Sequence, residues 1–181
     1  MNRLAGIPEL RVVTDSHWPQ PGDDALAGPP SLPGFVGSSF SPLVAVVADR
    51  CLRSLYGEVA AKQGTLQSSE ARVGIVLVSR SGDRASAEQV RQAVADGKRV
   101  GPLYFFQSVP NSVAGYVAAR WGLHGPVVCL SPAGDARQAG FDQAALLIAD
   151  GDADQVLVVL VEQASQGDTA VALLVSGGEP S

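Results

Sequence analysis

The sequence predicts a layered α/β domain in which one sheet carries helices on both faces. Three observations predict it. Short apolar runs such as Val73–Ser79 (VGIVLVS) do not alternate, are too short for a buried helix and are rich in β-branched residues, so they read as strands covered on both sides. Segments with helical spacing and terminal caps separate those runs. The 181 residues, 46% of them apolar, suit one domain with a substantial core over residues 1–181.

The elements follow in order. A β-branched run over Leu10–Thr14 predicts a first strand. Residues 15–34, DSHWPQPGDDALAGPPSLPG, hold five prolines and predict a long loop, because proline lacks an N–H and fixes φ. A loop of that length is expected to be a lid or to pack on a partner. Ser41-Pro42 opens a helix, with Leu43, Val46, Val47, Leu52, Leu55 and Val59 at helical spacing up to Lys62; GTLQSSEA ends it. After the Val73 strand, Ser86 to Gln89 resembles a capping box for a helix to Ala95, closed by Asp96-Gly97. A loop through Gly101-Pro102 leads to a helix capped by Asn111 or Ser112 and ended by Gly122. Strand Val127–Ser131, a helix from Asp135 to Ala149, and strands Gln155–Val161 and Ala170–Ser176 complete the order β α β α α β α β β.

Charged residues make up 17% of the chain, below the roughly 25% of an average domain, and the mean hydropathy is +0.15. Part of the surface is therefore expected to be covered by a partner. A net charge of −5 without a Lys/Arg cluster excludes nucleic acid. No run approaches the ~18 apolar residues of a membrane span, and the N-terminus lacks a signal peptide's apolar region, so a cytoplasmic protein is expected. Cys51 and Cys129 lie in apolar surroundings outside any metal-ligand spacing and read as buried thiols. The glycines form neither GxGxxG nor a P-loop, so no cofactor and no metal are expected.

Three stretches resemble the N-terminal half of β-ketoacyl synthases, the thiolase-fold condensing enzymes: Pro110–Val128 (PNSVAGYVAARWGLHGPVV), Phe141–Glu162 (FDQAALLIADGDADQVLVVLVE) and Thr169–Ser176 (TAVALLVS). The first of these also resembles the chain-length-factor partners of those enzymes, and SVPNSVAG together with the length resembles short proteins made of the N-terminal half alone. The resemblance covers residues 35–178 and implies half of a thiolase-like fold. It also implies a nucleophilic Cys at the tip before the buried helix; counted without gaps from Gly125-Pro126 to Gly151, that position holds Gly134. Cys129 falls five residues earlier, inside a strand. The two catalytic histidines of the family come from the second half of the fold, and His17 and His124 do not match them; His124 reads as a solvated turn residue.

The remaining candidates are weak. Asp15 and His17, beside Trp18 in the Pro-rich segment, invite an acid/base pair, against the plainer reading of a loop that happens to contain them. Asp135 reads first as the cap of the buried helix and second as a general base at the former nucleophile position. Tyr104, Phe105, Phe106, Tyr116 and Trp121 concentrate aromatic side chains near strand Val127–Ser131, which pairs across the two-fold in ketosynthase-like dimers, and so suggest an interface. The expected function is a non-catalytic ketosynthase-like accessory protein in polyketide or fatty-acid-derived biosynthesis. It would act as a homodimer, or as a heterodimer with a ketosynthase-type subunit, with an acyl carrier protein as a further partner. The alternative is a repurposed thiolase-fold enzyme performing dehydration or isomerisation on a carrier-bound acyl chain through Asp15, His17 or Asp135.

Overall fold

The computed structural model describes residues 8–63 and 71–178. In chain order the elements are β1 (Leu10–Trp18), α1 (Phe40–Gln63), β2 (Val73–Val78), α2 (Arg84–Ala95) and α3 (Pro102–Gln107). They continue with α4 (Pro110–Trp121), β3 (Val127–Leu130), α5 (Ala136–Ala149), β4 (Gln155–Glu162) and β5 (Thr169–Gly177). The five strands form one mixed sheet in the order β1-β5-β4-β2-β3. β2 runs parallel to both β3 and β4, whereas β5 is antiparallel to β4 and β1.

Alternation along β2 builds a core on each face. Ile75 and Leu77 point to one side, where they meet Leu43, Val47 and Leu52 of α1 and Val113, Val117 and Trp121 of α4. Val76 and Val78 point to the other, under Ala144 and Leu147 of α5. All six residues of β2 are buried, as the unalternating run predicts. α5 approaches the sheet closely at Gly140, where an added Cβ would lie 2.9 Å from Val158 Cγ1 and 3.1 Å from Val78 Cγ2. Gly122 ends α4 in the left-handed conformation, φ 66° and ψ 40°. α1 is interrupted at Gly57, φ 77° and ψ 175°.

Several expectations need correction. β1 extends past Thr14 to Trp18, so the loop begins four residues later than expected. Ser16 and Trp18 face inward while Asp15 and His17 face out; this is strand alternation that the polar residues conceal. The cap of α2 is Asp83, whose carboxylate accepts from Ser86 N at 2.9 Å and from Ser86 Oγ at 2.7 Å, so Ser86 is inside the helix. The stretch read as loop contains α3, with Pro102 in its first turn. α4 is preceded by Val109 without a side-chain cap and starts at Pro110 rather than after Asn111 or Ser112. GTLQSSE, residues 64–70, lies outside the described residues.

The Pro-rich segment packs on the chain's own helices. Arg50 of α1 binds Asp23 through both guanidinium nitrogens, at 2.6 and 2.9 Å, and stacks 5.3 Å from the Trp18 ring centre. That guanidinium holds the Asp23 carboxyl below its ordinary pKa. Further along, Leu32 and Phe35 pack on the α1/α4 core, and Phe35 meets Tyr116 edge-on at 6.1 Å.

Candidate functional site

The parallel strands β2 and β3 end at a cleft of about 350 Å³, the position where open α/β sheets generally take ligands. Phe40, Leu77, Cys129 and Leu130 supply its apolar wall, with Ser79 and Arg80 at the polar side. Ser79, Arg80 and Ser131 are engaged within the chain. Ser79 Oγ accepts from Gly82 N at 3.0 Å, and Arg80 Nε donates to Glu162 Oε1 at 3.1 Å. The Cys129 thiol donates to Asn111 Oδ1 at 2.9 Å. The cleft can hold an apolar group but offers no activated nucleophile.

Both thiols are poor nucleophiles for a physical reason. Burial pushes the Cys51 thiol up to about 12, and it sits inside α1, donating to Thr14 O at 3.6 Å. Burial also raises Cys129, which lies in β3 and caps no helix. Cys51 therefore stays unreactive toward a disulfide reagent at pH 8 until the protein unfolds, while Cys129 reacts slowly. Because the folded pKa exceeds that of the unfolded thiol, this contribution is intact below pH 9. It is lost between pH 9 and 12, at about 1.4 kcal/mol per pH unit for the single thiol. Urea titrations of the wild type and Cys51→Ala across that range check the slope; equal slopes would contradict it.

The elbow before α5 is open. Gly134 is exposed, and an added Cβ there would meet nothing within 4 Å. Asp135 caps α5, its carboxylate accepting from Gln138 N at 2.7 Å, as expected from sequence. Asp15 and His17 share the outer face of β1, both exposed, on the opposite sheet edge from β3. Four interstrand spacings, roughly 19 Å, separate those edges, so the pair and Asp135 do not form one site. His124 is exposed in the turn before β3. Among the described residues no group of three or more His, Cys, Asp or Glu could hold a metal, and no helix is long and apolar enough to cross a membrane.

The aromatic surface is smaller than expected. Trp121 is 1% exposed and belongs to the core, Tyr116 is packed by Phe35, and Tyr104 is half-buried. Phe106 is 65% exposed, just before α4, whose Asn111 touches β3 through Cys129. The side chain of Phe105 lies outside the described residues. Sequence reasoning missed the Asn111–Cys129 and Arg50–Asp23 contacts; the partners stand 18 and 27 residues apart, beyond any local pattern.

The chain is 30% identical over 101 residues to 3-oxoacyl-[acyl-carrier-protein] synthase 2 of Vibrio cholerae, covering 55% of this chain and 24% of that protein. A ketosynthase in complex with its chain length factor, from Xenorhabdus doucetiae, matches with a TM-score of 0.62 and 24% identity over 82% of this chain and 63% of that one. A type II polyketide synthase acyl-carrier protein in complex with its ketosynthase bound to the hexaketide matches with a TM-score of 0.67 and 16% identity, over 94% and 62% of the two chains. The chain thus spans about a quarter of the curated relative and under two thirds of these structures. Its mixed α/β fold is that of thiolase-like ketosynthases. The model of the β-ketoacyl synthase N-terminal domain matches residues 39–168, most of the chain, and this protein belongs to that family.

Proposed function

We propose that this protein is a non-catalytic, chain-length-factor-like subunit that works through a ketosynthase-type partner bound along β3, in polyketide or fatty-acid-derived biosynthesis. The observation that carries this reading is the difference between the two sheet edges. β1 is guarded: it bears Arg11, Asp15 and His17, and a bulge interrupts its pairing between Val12 and Thr14. Charges and bulges of this kind keep an edge from pairing with another chain. β3 is unguarded, with no charged residue from 125 to 134 and a partly exposed apolar strand, VVCL, that pairs on one side only among the described residues. Val127, at 39% exposure, adds to that apolar surface.

Support for a non-catalytic role comes from the elbow. In the register of the resemblance Gly134 takes the place of the nucleophilic cysteine, and both thiols are held protonated elsewhere. The chain then shapes the partner's site or guides an acyl chain delivered by a carrier protein. Size-exclusion chromatography with light scattering tests the pairing, using the chain alone and co-expressed with a ketosynthase from the same genome. A stable complex with one copy of each chain is expected, and a well-behaved monomer that binds no ketosynthase would sink the proposal. Asp135→Ala should leave product formation by that complex intact; abolished turnover with an intact fold would instead favour acid/base chemistry on the acyl chain.

A further inference from the structure

We infer that Asn111 sets which partner β3 accepts: its side-chain NH2 group donates across the interface to an uncharged oxygen on the ketosynthase residue that faces Cys129. This inference rests on the proposed role of β3 and deepens it, because an apolar strand edge by itself selects no particular partner.

Pro110 opens α4, so Asn111 stands in the first turn of that helix, exposed and in contact with β3. Its Oδ1 accepts from the Cys129 thiol at 2.9 Å. Burial keeps that thiol protonated and therefore a donor, so the contact takes the oxygen arm of the carboxamide. The NH2 arm is left over, with no partner within the chain among the described residues. Ser131, the next hydroxyl along the chain, does not compete for an incoming acceptor, because its Oγ donates to Arg80 O at 3.2 Å.

Strand alternation places this donor. Cys129 packs on the α4 side of the sheet, whereas Val128 and Leu130 pack on the α5 side. A partner strand along β3 lies about 4.8 Å away, and its residue opposite Cys129 points to the same α4 side with Cβ atoms about 5 Å apart. That residue is the one within reach of the Asn111 NH2.

In the free chain water takes both N–H donors. Once a partner covers them they need an acceptor, since a buried unpaired donor is a net loss. Ser, Thr, Asn and Gln supply a neutral oxygen. A carboxylate would also accept, but its charge would be buried along 125–134, where no cation stands to meet it. Val or Leu at that position leaves the donors stranded, so a ketosynthase carrying one is rejected.

The chain has two asparagines, Asn2 and Asn111, so nitrogen-15 asparagine labelling gives two side-chain NH2 signals, and Asn2→Gln identifies them. The labelled chain is measured free and bound to unlabelled ketosynthase from the same genome. Binding should shift the Asn111 signal and slow its exchange with water about tenfold or more. Asn111→Leu keeps the size and removes the donors, and should weaken the complex about tenfold or more in titration calorimetry. The wild-type signal decides the matter even if Asn111→Leu does not fold. An unchanged Asn111 signal in a complex that Val127→Lys disrupts would overturn this inference and leave the β3 proposal standing, as would full affinity in a folded Asn111→Leu. If no complex forms, or Val127→Lys leaves it intact, the β3 proposal falls and this inference falls with it.

Discussion

Gly125→Ala is expected to cost about 3 kcal/mol of stability, the upper range for forcing extra volume into a packed site, and to lower the melting temperature by about 9 °C. A Cβ at Gly125 would lie 2.5 Å from Gly74 N and from Val73 C, and 2.6 Å from Val73 O. Those are backbone atoms, so no rotamer change relieves the overlap. The backbone itself is held fast. Gly125 N donates to Val73 O at 3.0 Å, Ile75 N donates to Pro126 O at 2.8 Å, and β2 is paired on both sides by β3 and β4. Gly74 also has little room, since its own added Cβ would lie 3.2 Å from Pro126 O. The strand therefore has to shift as a unit, moving residues that are buried on both faces. Gly134→Ala is the matched control, because it adds the same methyl group where nothing lies within 4 Å; less than about 0.5 kcal/mol is expected there. Thermal and urea unfolding of the two variants measure the difference. Equal melting temperatures would show that the Gly125 contact does not constrain the fold.

Where local pattern and tertiary environment agree, the sequence was readable. The VGIVLV run of β2 needed no context, since only a strand covered on both faces is both short and uniformly apolar. Asp135 and Gly122 mark helix ends through chemistry contained within three or four residues. The end of β1 failed because Asp15 and His17 suggest a loop, and only the burial of Ser16 and Trp18 against α1 makes the alternation visible. The short α3 failed because Gly101-Pro102 reads as a turn, although the same proline also suits a first helical turn. For the site, sequence could supply what stands at position 134 but not what stands around it. Neither the strand order nor the exposure of β3 follows from local spacing, and the separation of Asp15 and His17 from Asp135 depends on both. The Pro-rich segment shows the same limit: its partner is Arg50, a charged helix residue with no distinguishing neighbours.

Val127→Lys is expected to weaken the complex with the ketosynthase about 100-fold or more while leaving the isolated chain folded. Solvation of the added ammonium sets the effect. In the free chain Val127 is 39% exposed at the start of an edge strand, so a lysine there can extend its stem along the surface and keep its ammonium in water. Its effect on stability should stay within about 0.5 kcal/mol. Once a second strand pairs along β3, the ammonium is enclosed by apolar neighbours, and the stretch 125–134 contains no carboxylate to receive it. A penalty of about 3 kcal/mol, near the low end for an unpaired buried charge, corresponds to the expected 100-fold. Val12→Lys gives the comparison on the opposite edge. Val12 is also 39% exposed, but β1 already presents Arg11, Asp15 and His17 and is broken by a bulge, so a further charge should leave affinity unchanged. Isothermal titration calorimetry of both variants, with circular dichroism to verify the fold, decides between the edges. Loss of binding in Val12→Lys with retention in Val127→Lys would move the interface to β1, and with it the Asp15 and His17 pair from open solvent into the contact.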